Sequence, residues 1–130
     1  MSGSPETVST GQITAAISNE IVSVLHEQTG RGPAFAKTTI SGDLVVCVLA
    51  DTLTVGERTL VDSGHAESVL DTRKLYQQAM RTALTNAVET HTGRKVIAFM
   101  SDNHIDPDTA IEAFILEPRA GHAPDGFAPA

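Results

Sequence analysis

Ile13, Ile17, Ile21, Val24 and Leu25 recur at intervals of three and four residues, which places them on one stripe of a helix. Thr10 is the cap candidate before that stripe, and Gly30 supplies the stop after it. Two β-rich runs follow, residues 36–40 and 44–49, and Ser41-Gly42-Asp43 between them has the chemistry of a tight hairpin turn. Thr54 and Glu57 form a capping box that predicts a short helix stopping near Gly64. A long helix is expected from about His65 to His91, ending at Gly93. Its broad apolar face comprises Val69, Tyr76, Ala79, Met80, Ala83, Leu84, Ala87 and Val88. Residues 96–101 then form a nearly continuous apolar run, the pattern of a central strand covered on both faces. Residues 110–117 set Ile111, Ala113 and Ile115 against Glu112, the pattern of a half-exposed strand.

This order of elements repeats. One helix ends in Thr29-Gly30-Arg31 before a pair of strands, and another ends in Thr92-Gly93-Arg94 before the next pair. Glycine suits a helix C-cap and arginine the negative end of the helix dipole, so capping alone accounts for the match as well as duplication does. The expected fold is α+β, built from duplicated α-β-β units (α-β-β-α-α-β-β), with a four-stranded antiparallel sheet and helices packed on one face. The other face of that sheet needs a cover, so a homo-oligomer, a dimer, is expected through this face or along the long helix. Residues 1–10 and 118–130 are rich in Gly, Pro, Ala and Ser and read as flexible tails around a single domain at 11–117.

Composition narrows the function classes. With a net charge of −7 and nine scattered Lys and Arg, the chain has no basic stripe with which to bind nucleic acid. At 4% aromatic content, stacking platforms for single strands are not expected either. Cys47 is the only cysteine and sits in an apolar run, so it reads as a small buried hydrophobe rather than a disulfide or metal partner. Met1-Ser2-Gly3-Ser4-Pro5 lacks the basic and apolar regions of a signal peptide, and no apolar stretch approaches the length of a membrane span. A cytoplasmic protein without direct membrane insertion is expected. Walker, dinucleotide-binding, nucleophile-elbow and H-E-x-x-H patterns do not occur in the sequence.

The candidate chemistry lies in a few residues. In the segment 102–108, Asp102, His104 and Asp106 are spaced two apart, so an extended backbone would point them to one side. Such a set would suit a divalent metal with open water positions. The same residues also suit a hairpin loop in which Asp and Asn accept local backbone hydrogen bonds and Pro107 fixes the turn. Arg31, Lys37, Arg94, Asn103 and His104 are the candidate ligand contacts, Arg31 through a planar fork matched to carboxylate or phosphate. Glu57 and Arg58 read as a solvated helix face. No cofactor beyond a possible divalent metal is expected.

Thr29-Gly30-Arg31-Gly32-Pro33, Asp43-Leu44-Val45-Val46 and Asp51-Thr52-Leu53-Thr54 with Gly56-Glu57 resemble the first half of the bacterial MpsC-type domain. Thr92-Gly93-Arg94-Lys95-Val96, the string from Ser101 to Asp108, and Phe114-Ile115-Leu116-Glu117-Pro118 resemble its second half, so the likeness spans about residues 11–118. It implies a soluble accessory domain of a bacterial membrane-potential or inorganic-carbon uptake system, with a membrane transport protein as partner. The resemblance assigns no catalytic residues. Three functions therefore stand beside one another: a non-catalytic accessory or ligand-binding domain, a metal-dependent enzyme with its site in 102–108, and a structural oligomerisation domain.

Overall fold

The computed structural model describes residues 8–128; most of the N-terminal tail expected over 1–10 and the last two residues of the C-terminal one lie outside it. The chain runs α1 (Thr10–Thr29), β1 (Phe35–Ser41), β2 (Leu44–Ala50), α2 (Val55–Asp62), α3 (Ala66–Thr92), β3 (Val96–His104) and β4 (Thr109–Leu116). This is the α+β fold expected, with all four strands antiparallel.

The helices begin and end where local chemistry dictates. Ser9 caps α1, one residue before the expected Thr10: its hydroxyl accepts the Gln12 N–H at 3.1 Å, and the Gln12 side chain accepts the Ser9 N–H at 2.9 Å. Thr54 and Glu57 make the same reciprocal pair at the start of α2. At the other end, Gly30 and Gly93 take the left-handed conformation that closes α1 and α3. The Thr before each glycine bonds back to its helix, Thr29 Oγ1 to Leu25 O and Thr92 Oγ1 to Val88 O, both at 2.7 Å.

The sheet order is β1-β2-β4-β3. The two hairpins therefore join through their second strands, and the continuous apolar run expected to be central, β3, is an edge strand. Its core-facing residues, Phe99 and Ser101, are half-buried, and Ile97 and Met100 are exposed. The central position goes to β2 and β4, whose inward residues Val45, Cys47, Leu49, Phe114 and Leu116 are almost fully buried. They pack against Ile17 and Ile21 of α1 and Met80, Leu84 and Val88 of α3.

A second expectation is reversed on β4. The alternation sets Glu112 opposite the buried residues, yet it is 2% exposed while Ile111 is 40% exposed. Register gives the reason: Leu49 pairs with Ala110, Cys47 with Glu112 and Val45 with Phe114, so Glu112 shares the helix-covered face with Phe114 and Leu116. Both faces of β4 are apolar enough to be buried, and the wider set won. On α3, Val69, Met80, Leu84, Ala87 and Val88 are buried as expected, whereas Tyr76 and Ala79 are exposed.

The repeat extends to the arginines. Arg31 Nη1 donates to the carbonyl of Asp51, the residue after β2, at 2.8 Å. Arg94 Nη2 donates to the carbonyl of Glu117, the residue after β4, at 3.0 Å. The aspartate that opens the second strand of each hairpin also repeats: Asp43 O accepts the Leu116 N–H at 2.7 Å, and Asp108 O accepts the Asp51 N–H at 3.2 Å. Capping alone does not account for these tertiary bonds, which recur in the two α-β-β units with a one-residue offset at Leu116.

Candidate functional site

Where β2 leaves the sheet and β4 enters it, the chain between α1, α3 and the strands leaves a partly enclosed cavity of about 60 Å³. Leu25, Leu49, Met80 and Ala110 give it mainly apolar walls. Arg31, Glu57, Arg73, Asn103 and Glu112 bring polar groups to it from five separate segments.

Arg73 frames the cavity. Its Nε donates to Glu57 Oε2 at 2.9 Å and Nη2 to Glu57 Oε1 at 2.7 Å, the two-pronged geometry a guanidinium makes with a carboxylate. Nη1 donates to Thr52 Oγ1 at 2.8 Å and Asn103 Oδ1 at 3.0 Å, and Nη2 also reaches Thr52 O at 2.9 Å. All of its donors are thus spent on the protein. Burial pushes the Glu57 carboxyl up, but the bonds from Arg73 and the Thr54 N–H outweigh this and hold it below the usual carboxylate range. Glu57 is therefore no solvated face residue; the helix that carries it packs on α3 and turns it inward.

Asp108 closes the same corner. Its Oδ1 accepts Thr52 Oγ1 at 2.8 Å, and its Oδ2 accepts the Leu53 N–H at 2.9 Å and Arg58 Nη2 at 3.3 Å. Burial works against its charge, yet these bonds to Leu53 and Thr52 keep its carboxyl below the ordinary value. Arg31 holds the opposite side of the linker through Asp51 O, Leu53 O at 3.0 Å and the Asp51 carboxylate at 3.2 Å.

Glu112 forms the floor. Its Oε1 accepts Ser101 Oγ at 2.8 Å, while Oε2 has no partner among the described residues. Burial, only partly offset by the Ser101 bond, pushes its carboxyl up to about 7. It lies on a polar rung that crosses the covered face of the sheet in register, Thr38, Cys47, Glu112 and Ser101. Thr38 in turn shares a 2.7 Å hydrogen bond with Ser18 of α1. Burial also raises the Cys47 thiol.

The candidate ligand contacts separate in space. Arg31 and Asn103 line the cavity. Arg94 is at the far end of the β1–β2 hairpin, bound to Asp43, Gly42 O and Glu117 O, where the Asp125 N–H also donates to Asp43 Oδ2 at 2.6 Å. That Arg94 bond, followed by the Asp125 bond, holds the Asp43 carboxyl below its ordinary value. Lys37 is exposed on the open face of edge strand β1. Asp102 and His104 lie in β3, which runs further than the expected 96–101, and Asp106 lies in the turn at 105–108. Asp102 Oδ1 accepts the Asn103 N–H at 2.8 Å, and His104 Nδ1 is 2.9 Å from Pro107 O. Among the described residues no group of three or more His, Cys, Asp or Glu side chains is placed to hold a metal ion.

Sequence reading missed Arg73 and Glu112. The signal for Arg73 was present: it falls four residues after Val69 and seven before Met80, a charge on the apolar stripe itself.

Fold and site together define a small α+β domain of duplicated α-β-β units, with an ion-paired frame around an apolar cavity. The chain belongs to the MpsC family, described as "Na+-translocating membrane potential-generating system (MpsC)", which matches residues 9–118. No curated protein and no solved structure matches the chain. Among the described residues, no helix is long and apolar enough to cross a membrane.

Proposed function

We propose that the protein is a non-catalytic, ligand-binding accessory domain of a bacterial membrane ion or inorganic-carbon transport system, working on the cytoplasmic side as a homodimer. The cavity carries this reading. Its cations are committed to protein partners, Arg73 to Glu57, Thr52 and Asn103, and Arg31 to Asp51 and Leu53. A frame locked in this way is preorganised to receive a small molecule. The family description supplies the link to a membrane system. The open face of the sheet, with Val48, Met100 and Ile111 each at least 40% exposed, suits a second copy of the chain.

Transport by the membrane subunits in sealed vesicles tests the accessory role. Adding the wild-type domain is expected to change the rate of ion or bicarbonate uptake. Ala110→Leu, which fills the cavity, is expected to remove that change while leaving the fold intact by circular dichroism. Identical transport with and without the wild-type domain overturns the reading.

A further inference from the structure

We propose that the cavity binds a small primary ammonium ion with a short aliphatic body, its nitrogen held by the free oxygen of Glu112. This rests on the cavity's being a ligand site and names the class of ligand it takes. Glu112 is 2% exposed, and Oε2 is a buried carboxyl oxygen that no group among the described residues satisfies. Such an atom calls for a donor, because a buried acceptor left without one costs most of its lost hydration.

The charge balance selects the donor's sign. Cys47 of β2 pairs with Glu112 in register and Ser101 of β3 bonds it, while Asn103 of β3, Arg73 and Tyr76 of α3, and Leu25 and Thr29 of α1 share the lining of its cavity. Arg73 is neutralised by Glu57, which lies at the cavity's side, and Arg31 by Asp51. Cys47 is held as the neutral thiol by burial. Above pH 7, where Glu112 ionises, its carboxylate is thus the one uncompensated charge among the described lining residues, and it attracts a cation.

The walls select the cation's body. A hard metal ion takes about six oxygen ligands, and Leu25, Leu49, Met80 and Ala110 offer none. An alkylammonium ion needs its hydrogen bonds at one end and an apolar sleeve along the rest. A cavity of about 60 Å³ holds on the order of four to five water-sized groups, so the body is limited to a few carbons.

The test is a titration of the full chain with n-propylammonium chloride at pH 8, followed by chemical-shift changes of the Met80 methyl and the Ala110 amide. n-Propanol and sodium propionate serve as comparison probes. Saturable binding of propylammonium is expected, tenfold or more weaker for Glu112→Gln and at pH 5.5, where the carboxyl keeps its own proton. Ala110→Leu, checked for folding by circular dichroism, is expected to abolish it. Equal binding by Glu112→Gln overturns the proposal. Propanol or propionate binding as well as propylammonium overturns the ligand class and leaves the cavity a ligand site. Saturable binding by none of the three probes overturns both.

Discussion

Arg73 of α3 grips Glu57 of α2 with both prongs of its guanidinium, at 2.9 and 2.7 Å, and so fixes the short helix to the long one. The same arginine holds the Thr52 carbonyl and the Asn103 side chain, at 2.9 and 3.0 Å. One side chain thereby ties together α2, α3, the linker after β2 and the end of β3.

Arg73→Met is expected to destabilise the protein by about 2–4 kcal/mol, because it leaves Glu57 and Thr52 O without their donor in a mostly buried setting. Arg73→Lys keeps the charge, lacks the planar fork, and recovers only part of the loss. Denaturant unfolding checks this: the midpoint should fall with the slope unchanged. A midpoint for Arg73→Met equal to that of the wild type would show that the frame contributes nothing.

Glu112 makes stability depend on pH near neutrality. Burial raises its folded-state carboxyl to about 7, above the ordinary value of 4.5, so the folded protein holds a proton that the unfolded chain has lost. Stability therefore falls as pH rises from about 4.5 to 7, by on the order of 3 kcal/mol in full. Asp43, Glu57 and Asp108 are shifted downward, and their stabilisation is lost only as pH falls below the ordinary carboxylate range. Glu112→Gln is expected to flatten the decline between pH 5 and 8 and to exceed the wild type in stability at pH 8. Unfolding curves at both pH values measure it, and parallel behaviour of the two proteins would refute it.

Gly42 sits at φ 58° in the β1–β2 turn, and a Cβ there would strike the backbone of Asp125. Gly42→Ala should thus undock the segment around Asp125 as well as straining the turn by about 1–2 kcal/mol. Gly30→Ala is the control, since it shares the positive φ but meets nothing within 4 Å among the described residues. Faster hydrogen exchange at the Asp125 amide in Gly42→Ala alone is the expected result; equal rates in both variants would contradict the docking contact.

For the segment 102–108 the expected response to Zn²⁺, Mn²⁺ or Mg²⁺ is an unchanged melting temperature. Asp102 and His104 are engaged locally, with the Asn103 N–H and Pro107 O. His104→Ala should cost little, and Asp102→Ala about 1 kcal/mol through its lost hydrogen bond. A metal-dependent thermal shift that His104→Ala removes would revive the metal-dependent enzyme.

Light scattering at micromolar concentration is expected to give the mass of a dimer. Ile111→Lys places a charge in the middle of the open face, where Ile111 pairs with Val48 and Asp102, and should yield monomer without loss of fold. A wild-type protein of monomer mass would count against the dimer.

The sequence by itself determined the elements and their caps. A helix buries one broad stripe, so the spacing of Ile17, Ile21, Met80, Leu84 and Val88 identifies the inward face, although Tyr76 and Ala79, counted on it, are exposed. Thr54 with Glu57, and Gly30 and Gly93, act within a few residues of themselves, so their roles as caps were legible too. What only the tertiary structure decided is how the two hairpins meet. Hairpin turns fix β1 beside β2 and β3 beside β4, but no local signal chooses β2–β4 as the join. That choice made the apolar β3 an edge and sent Glu112 inward, because β4 carries apolar residues at both parities and a strand reveals its inner face only through its partners. The cavity depends on the same choice. Arg73, Glu57, Asn103 and Glu112 lie up to 55 positions apart by number, and each has an ordinary local role until the β2–β4 pairing gathers them around one space.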